Sequence, residues 1–253
     1  MAERSKQSPD AAGSRTERFV NKVALVAGGT GGLGRAVSLA FAGELAKTLV
    51  TFRHQQEFLA LKETAGTGST LIEGHELDIT DDSAVAGLIS TIVAQHGRLD
   101  VLVNAVGGYA GGKALWELEP RIFEQMLALN LRSGYLLARA VAPVMIRQRD
   151  GVIVNVASRS AVDHAAGAAA YAASKAGAVA MMDSLAADLK GTGVRANSIL
   201  PSIIDTDANR KAMPQANFAN WPKAEDIARV ILFLCSDDAK LIHGAAIPVY
   251  GTA

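Results

Sequence analysis

Val23-Ala24-Leu25-Val26-Ala27-Gly28-Gly29-Thr30-Gly31-Gly32-Leu33-Gly34 decides how the chain is read. Val23 to Ala27 has the length and composition of a buried strand. It runs without a break into a loop dominated by glycine, and a helical pattern follows to about Leu45. Glycine lets a backbone turn sharply and approach a bulky anion closely. A helix start beyond the turn offers unpaired N–H groups and the positive end of the helix dipole. A plain tight turn also uses glycine. A strand before the run and a helix after it are the context in which such a loop cradles the phosphates of a nucleotide.

Outward from this stretch the alternation repeats. Thr48 to Phe52, a segment ending near Leu77, Val101 to Asn104, Val152 to Ala157, Arg195 to Leu200 and Ile247 to Val249 read as further strands. Helical stretches start near His54, Asp81, Glu117, Ala168 and Lys223. Strands separated by helices pair in parallel through right-handed crossovers. Strands this apolar expect helices on both faces. The expectation is an α/β fold: a Rossmann-type doubly wound sheet of about seven mainly parallel strands, flanked by helices on both faces. Residues 19–253 are read as a single domain. Residues 1–18, polar and charged with Pro9 and Gly13, are read as a disordered tail that lacks the apolar stretch of a signal peptide.

Composition narrows the function. The 253 residues carry 25 basic and 25 acidic side chains, so no global field points to nucleic acid or an anionic membrane. Cys235 is the only cysteine, which excludes an internal disulfide and a cysteine-based zinc site. It sits in the apolar run Val230 to Cys235 and reads as a buried helix thiol. A cytoplasmic protein fits this usage. The alanine-rich stretch from Ala161 to Leu189 is broken by Asp163, His164, Lys175 and Asp183, so it is not read as a membrane span. No group of His, Cys and carboxylates has metal-ligand spacing, and no catalytic metal is expected.

Ligands of open α/β sheets bind at the carboxyl ends of the strands. An acid at the end of the second strand would bond a ribose 2′-hydroxyl and favour NAD, while an arginine accommodates a 2′-phosphate. This chain has Arg53 directly after Phe52, and Arg35 at the start of the first helix adds charge. NADP(H) is therefore preferred and NAD(H) remains possible; an ordinary exposed arginine is the competing reading of Arg53.

Tyr171 and Lys175 lie four residues apart in a helical stretch and share a face. A free tyrosine titrates near ~10, too high for efficient proton transfer at neutral pH, and a neighbouring ammonium lowers that value. The spacing alone is common by chance. Its surroundings are not: the segment Tyr171-Ala172-Ala173-Ser174-Lys175-Ala176-Gly177, Ser158 placed 13 residues earlier at a strand end, and Asn130 in Leu129-Asn130-Leu131. With the spacing of Gly28, Gly32 and Gly34, these residues resemble the short-chain dehydrogenase/reductase family, from about Asn21 to Gly251.

The resemblance implies a catalytic tetrad of Asn130, Ser158, Tyr171 and Lys175. Tyr171 would exchange a proton with a carbonyl or alcohol oxygen. Lys175 would lower the phenol's pKa and hold the nicotinamide ribose. Ser158 would bond the substrate oxygen, and Asn130 would hold a water behind Lys175. Cofactor contacts are implied for Gly28, Thr30, Gly31, Gly32, Leu33 and Gly34 at the phosphates. Arg53, Asp78 and Ile79 are implied at the adenosine, with a helix or turn cap as the competing reading of Asp78. Asn104, Ala105, Pro201, Ile204 and Thr206 are implied at the nicotinamide half, beside Tyr171 and Lys175. Tyr109, Trp116 and His164 are candidates for the substrate pocket. Trp116 has a core reading beside it, and His164 that of an exposed loop residue.

The chain departs from the family pattern at Ala27, Ala105, Val106, Ser202 and Tyr250, and the lid stretch from Thr206 to Lys223 is short. The function implied is NADP(H)-dependent hydride transfer between nicotinamide and a small carbonyl or alcohol substrate, in a homodimer or homotetramer. A non-catalytic NADP-binding regulator on the same fold is the alternative, against which the complete tetrad weighs. Neutral charge and the lack of a basic stripe weigh against a nucleic-acid partner.

Overall fold

The computed structural model describes residues 17–252. Its seven strands are β1 (Val23–Ala27), β2 (Lys47–Phe52), β3 (Ile72–Glu76), β4 (Val101–Asn104), β5 (Gly151–Val156), β6 (Val194–Pro201) and β7 (Ala246–Val249). They form one sheet in the order β3-β2-β1-β4-β5-β6-β7. Every neighbouring pair is parallel. Strand order reverses between β1 and β4, which opens a crevice at their carboxyl ends.

The helices bury the sheet from both sides. On one face α1 (Gly32–Gly43) and α8 (Ala224–Cys235) pack Phe41, Ile227 and Ile231 against Val26, Val50 and Val103. On the other, α3 (Asp82–His96), α5 (Ser133–Gln148) and α6 (Ala169–Asp188) pack Ile92, Leu137, Met145 and Met182 against Leu25, Leu102 and Ile153. Alternate residues of each strand thus enter opposite clusters, as the period of two requires. The helix α2 (Gln55–Ala65) follows β2.

Two regions differ from the sequence reading. The helix expected from Glu117 starts later, because Pro120 occupies the first turn of α4 (Pro120–Leu127), where its missing N–H is harmless. A π-helical turn over Ala128–Arg132 then joins α4 to α5. The stretch read as lid carries a helix of its own, α7 (Asp207–Ala212), capped by Thr206 Oγ1, which accepts from Asn209 N at 3.2 Å.

Residues 1–16 of the expected tail lie outside the described residues. Arg18 does not behave as tail: its Nε donates to Glu44 at 2.8 Å, beside Phe19, whose ring lies edge-on to Phe41 at 4.9 Å. Phe19 belongs to the core, and it draws Arg18 onto the folded body. Among the described residues, no helix is long and apolar enough to cross a membrane.

Candidate active site

The loop after β1 is built for close approach. Gly28 has φ +72°, and a Cβ on Gly34 would lie 2.0 Å from the Gly28 carbonyl oxygen. No side chain caps α1 at Gly31, so its first N–H groups stay available. Thr51 on β2 braces the loop, accepting from Gly28 N at Oγ1 (2.9 Å) and from Gly29 N at its carbonyl (3.1 Å). That bracing comes from the neighbouring strand, whereas Ala27 offers no hydroxyl. Thr206 stands over the helix start, since a Cβ on Gly32 would meet its Cγ2 at 2.7 Å. A glycine cradle beneath an uncapped helix fits a pyrophosphate.

Other expected cofactor residues divide. Leu33 and Ile79 turn their side chains into the core, which leaves their backbone alone for a ligand. Thr30 Oγ1 donates to Glu57 at 2.8 Å. Arg35 bonds the Thr64 hydroxyl at the end of α2, a neutral partner that leaves its charge in place. Arg53 is exposed and makes no hydrogen bond or ion pair among the described residues. Asp78 caps a turn, accepting from Thr80 N at 2.9 Å and Thr80 Oγ1 at 2.7 Å; those bonds, with the Arg53 charge in support, hold its carboxyl below the usual range.

Between β4 and β5 the polar residues form a row. Asn104 Oδ1 accepts from Val106 N at 3.2 Å and its Nδ2 donates to Asn155 Oδ1 at 3.0 Å. Asn104, Asn155 and Ser198 are register partners across three strands, and Asn155 Nδ2 and Ser198 Oγ are buried without a hydrogen-bond partner among the described residues. Ala105 N donates to the Ala27 carbonyl at 3.0 Å, so the loops after β4 and β1 are tied together. Pro201 is buried at the end of β6, and the Ile204 carbonyl accepts from Asn209 Nδ2 at 2.8 Å.

The four tetrad residues do come together. Lys175, only 4% exposed on α6, donates from Nζ to the Val156 carbonyl at 2.9 Å, and burial pushes its pKa down to about 8. Tyr171 lies one turn earlier. Its phenol is pushed above the ordinary value, first by burial; a hydrogen bond with Ser158 works in the opposite direction, and the Tyr109 phenol adds to the rise. Ser158 Oγ also accepts from Ser160 N at 3.1 Å.

One expectation changes here. The Lys175 ammonium is turned to Val156, and the Tyr171 phenol is not lowered, because burial outweighs the effect of Ser158. The Asn130 side chain bonds within the chain: Oδ1 accepts from Gly108 N at 3.0 Å, and Nδ2 donates to the Gly108 carbonyl at 3.1 Å and to Ser174 Oγ at 3.0 Å. It pins the loop after β4 to α6 from within the π turn, a distortion frequent at functional sites. Gly107 fits between, since a Cβ there would lie 3.0 Å from Asn130 Oδ1 and 3.1 Å from Lys175 Nζ. Sequence reading assigned no role to Asn155 or Ser174. An amide inside the apolar strand Val154-Asn155-Val156 was the one available signal.

Of the pocket candidates, Tyr109 reaches the site, its ring edge-on to Tyr171 at 5.0 Å. Its loop is tied to the loop after β5 by Gly112 N donating to the Gly167 carbonyl at 2.9 Å. Trp116 is 87% exposed on the Leu115–Glu117 turn and so lies outside the core. His164 is exposed, with Nε2 3.3 Å from the Ala161 carbonyl of its own loop. The lid is braced despite its length: Arg210 grips Asp205 at 2.6 and 2.8 Å, lies over the Phe218 ring at 5.0 Å, and Phe218 meets Trp221 at 4.9 Å. Cys235 is buried and its thiol pushed up to about 12, which makes it a poor nucleophile. Among the described residues no group of three or more His, Cys, Asp or Glu is placed to hold a metal.

A nucleotide cradle at the switch point, with a hydroxyl, a phenol and a buried ammonium beside it, defines an oxidoreductase of the doubly wound class. The family model for short chain dehydrogenase matches residues 22–217, and the chain belongs to that family. It is 31% identical over 242 residues to a 3-oxoacyl-[acyl-carrier-protein] reductase of Thermotoga maritima, covering 92% of this chain and 98% of that one. It is 33% identical over 246 residues to D-threitol dehydrogenase of Mycolicibacterium smegmatis, covering 92% and 93%. The solved structure of ElxO with NADP bound superposes with a TM-score of 0.86 at 25% identity, covering 91% of this chain and 97% of that one. The protein is an NAD(P)-dependent oxidoreductase acting on CH–OH or C=O groups.

Proposed function

We propose that the protein is an NADP(H)-preferring carbonyl reductase or alcohol dehydrogenase in which Tyr171 is the general acid and base. The observation that carries this is the placement of the Ser158 hydroxyl beside the Tyr171 phenol, where it favours the phenolate, one helical turn from the buried Lys175. The cofactor, when bound, supplies or accepts a hydride. Ser158 holds the substrate oxygen and stabilises charge developing on it. Tyr171 delivers the proton to that oxygen in reduction and removes it in oxidation. Lys175 keeps a positive charge at the floor of the site, where low dielectric strengthens its action. Asn130 holds the loop that faces it.

The preference for NADP(H) rests on Arg53, a cation with no hydrogen bond or ion pair among the described residues, at the end of β2, where no acid competes for a ribose hydroxyl. The substrate is a small carbonyl or alcohol compound, entering past Tyr109. We read residues 19–253 as one domain, acting in the cytoplasm as a homodimer or homotetramer.

A panel of ketones, 3-oxoacyl thioesters and polyols, run with NADPH and NADH, tests the reading. Turnover with NADPH is expected, and Arg53→Ala is expected to raise the KM for NADPH about 10- to 100-fold, the worth of one charge-assisted contact, while the NADH value moves little. Equal loss with both cofactors would remove Arg53 from the selectivity argument. Tight NADPH binding with no turnover across the panel would favour a non-catalytic regulator.

A further inference from the structure

Three chain segments that follow β5, β6 and β7 meet beside the catalytic serine. Arg159 directly follows Ser158, and its guanidinium lies over the Tyr250 ring, 5.2 Å from the centroid. Arg159 Nε donates to Asp163 Oδ2 at 3.0 Å, which orients the guanidinium from within the serine loop. The Tyr250 carbonyl accepts from Ser202 Oγ at 2.8 Å, and Ser202 N donates to the Val249 carbonyl at 3.4 Å. Ser202 and Tyr250 are both departures from the family pattern, and here they bond one another. The side chain gained at Ser202 fixes the backbone of the residue whose ring covers Arg159.

We propose that Tyr250, held by Ser202, clamps Arg159 and so positions Ser158 for the reaction; Tyr250 and Arg159 are positioning residues. The proposal rests on the reading of Ser158 and Tyr171 as the reacting pair. The path from ring to serine is short. Ser158 Oγ accepts from Ser160 N, so the serine hydroxyl and the turn that carries Arg159 move as one piece. The anchoring strand is also the sheet edge, where β7 pairs with β6 over Ala246–Val249 and Tyr250 comes directly after it. The contact is exposed on the Arg159 side, so its weight falls on geometry and less on folding. Misplacement of a reacting group by about 1 Å lowers rates by about 100-fold.

The test uses the full chain in four forms: wild type, Tyr250→Leu, Tyr250→Phe and Arg159→Gln. On a substrate that the wild type turns over, Tyr250→Leu and Arg159→Gln are expected to lower kcat about 10- to 100-fold, with NADPH affinity within twofold. Tyr250→Phe keeps the ring face and restores most of kcat. The double variant Tyr250→Leu with Arg159→Gln should be no worse than either alone. A second readout needs no turnover. With ¹³C-labelled tyrosine, the Tyr171 resonance, assigned through Tyr171→Phe, should titrate at higher pH in Tyr250→Leu, because a displaced Ser158 no longer favours the phenolate. An unchanged Tyr171 titration in folded Tyr250→Leu overturns the clamp, and so does Tyr250→Phe as impaired as Tyr250→Leu. A shifted titration in a protein that reduces no carbonyl would leave the clamp standing and overturn the catalytic reading instead.

Discussion

The two edges of the sheet treat buried polarity in opposite ways. At the amino edge, Asp100 is 3% exposed and fully engaged: Oδ2 accepts from Val23 N at 2.8 Å, and Arg98 Nε reaches Oδ1 at 3.0 Å and Oδ2 at 2.9 Å. Lys22 adds an ion pair at 3.5 Å. Arg195 nearby donates to the Leu234, Ile242 and Ser236 carbonyls. At the carboxyl edge, among the described residues, Lys175 has one carbonyl, α1 starts uncapped, and Asn155 Nδ2 and Ser198 Oγ have no partner. The amino edge consumes its charges in holding strands together. The carboxyl edge leaves a buried cation with one carbonyl and several donors without a hydrogen-bond partner among the described residues, and that difference is expected to separate stability from function within one sheet.

The largest expected effects break this contrast if it is wrong. Tyr171→Phe should lower kcat by about 10²- to 10⁴-fold, the usual worth of a general acid or base, and leave the melting temperature nearly unchanged. Asp100→Ala should do the reverse. It leaves Val23 N and Arg98 without their acceptor and should destabilise by about 2–3 kcal/mol in chemical denaturation, with KM and kcat of the folded fraction intact. A stability loss in Tyr171→Phe as large as that in Asp100→Ala would erase the distinction between the edges.

Lys175 supplies the next test, at intermediate size. Its folded pKa, about 8, lies below the ordinary lysine value of 10.5, so the unfolded chain binds the proton more tightly. Stability therefore rises with pH between those two values, where the unfolded state holds the extra proton. Below about 8 the full penalty of burying the ammonium applies, on the order of 3 kcal/mol. In cofactor-free protein, Lys175→Met should be more stable than wild type near pH 7, and the gap should close as pH rises through this window. Denaturation curves of the two proteins that stay parallel from pH 7 to pH 10 would show that the burial is not penalised.

How far the sequence foretold this follows from which forces are local. Strand composition placed β1, β2, β4, β5 and β6 close to their observed bounds, since burial on two faces writes itself into consecutive residues, while the half-exposed β3 was legible only at its end. Tyr171, Lys175, Ser158 and Asn130 were legible because each occupies a fixed offset in a motif. What those side chains bond was not. Asn130 turns to Gly108, and Lys175 to Val156, through contacts between segments far apart in the chain. Arg35 reaches Thr64 across two helices. The lid helix α7 is six residues long, too short for a periodic signal, and rests on the Thr206 cap and the Arg210–Asp205 pair. The link between Ser202 and Tyr250 joins residues 48 apart, so each departure looked unrelated until folded.

The smallest expected effect sharpens the comparison from the amino side. Arg18 bonds Glu44 across the surface, with side chains 29% and 16% exposed. Such a pair gains little in water, because solvent screens the charges and ordering two long side chains opposes the gain. Arg18→Ala should lower stability by less than about 1 kcal/mol, and the difference should shrink in high salt. The core contact of Phe19 with Phe41 stays in place and keeps the start of the described chain attached. Activity should not change, since Arg18 stands with Asp100 and Asp150 at the edge away from Tyr171. A drop in kcat in Arg18→Ala without a matching loss of stability would mean that the amino edge feeds into the site through the sheet, and the division between the edges would have to be redrawn as a coupling.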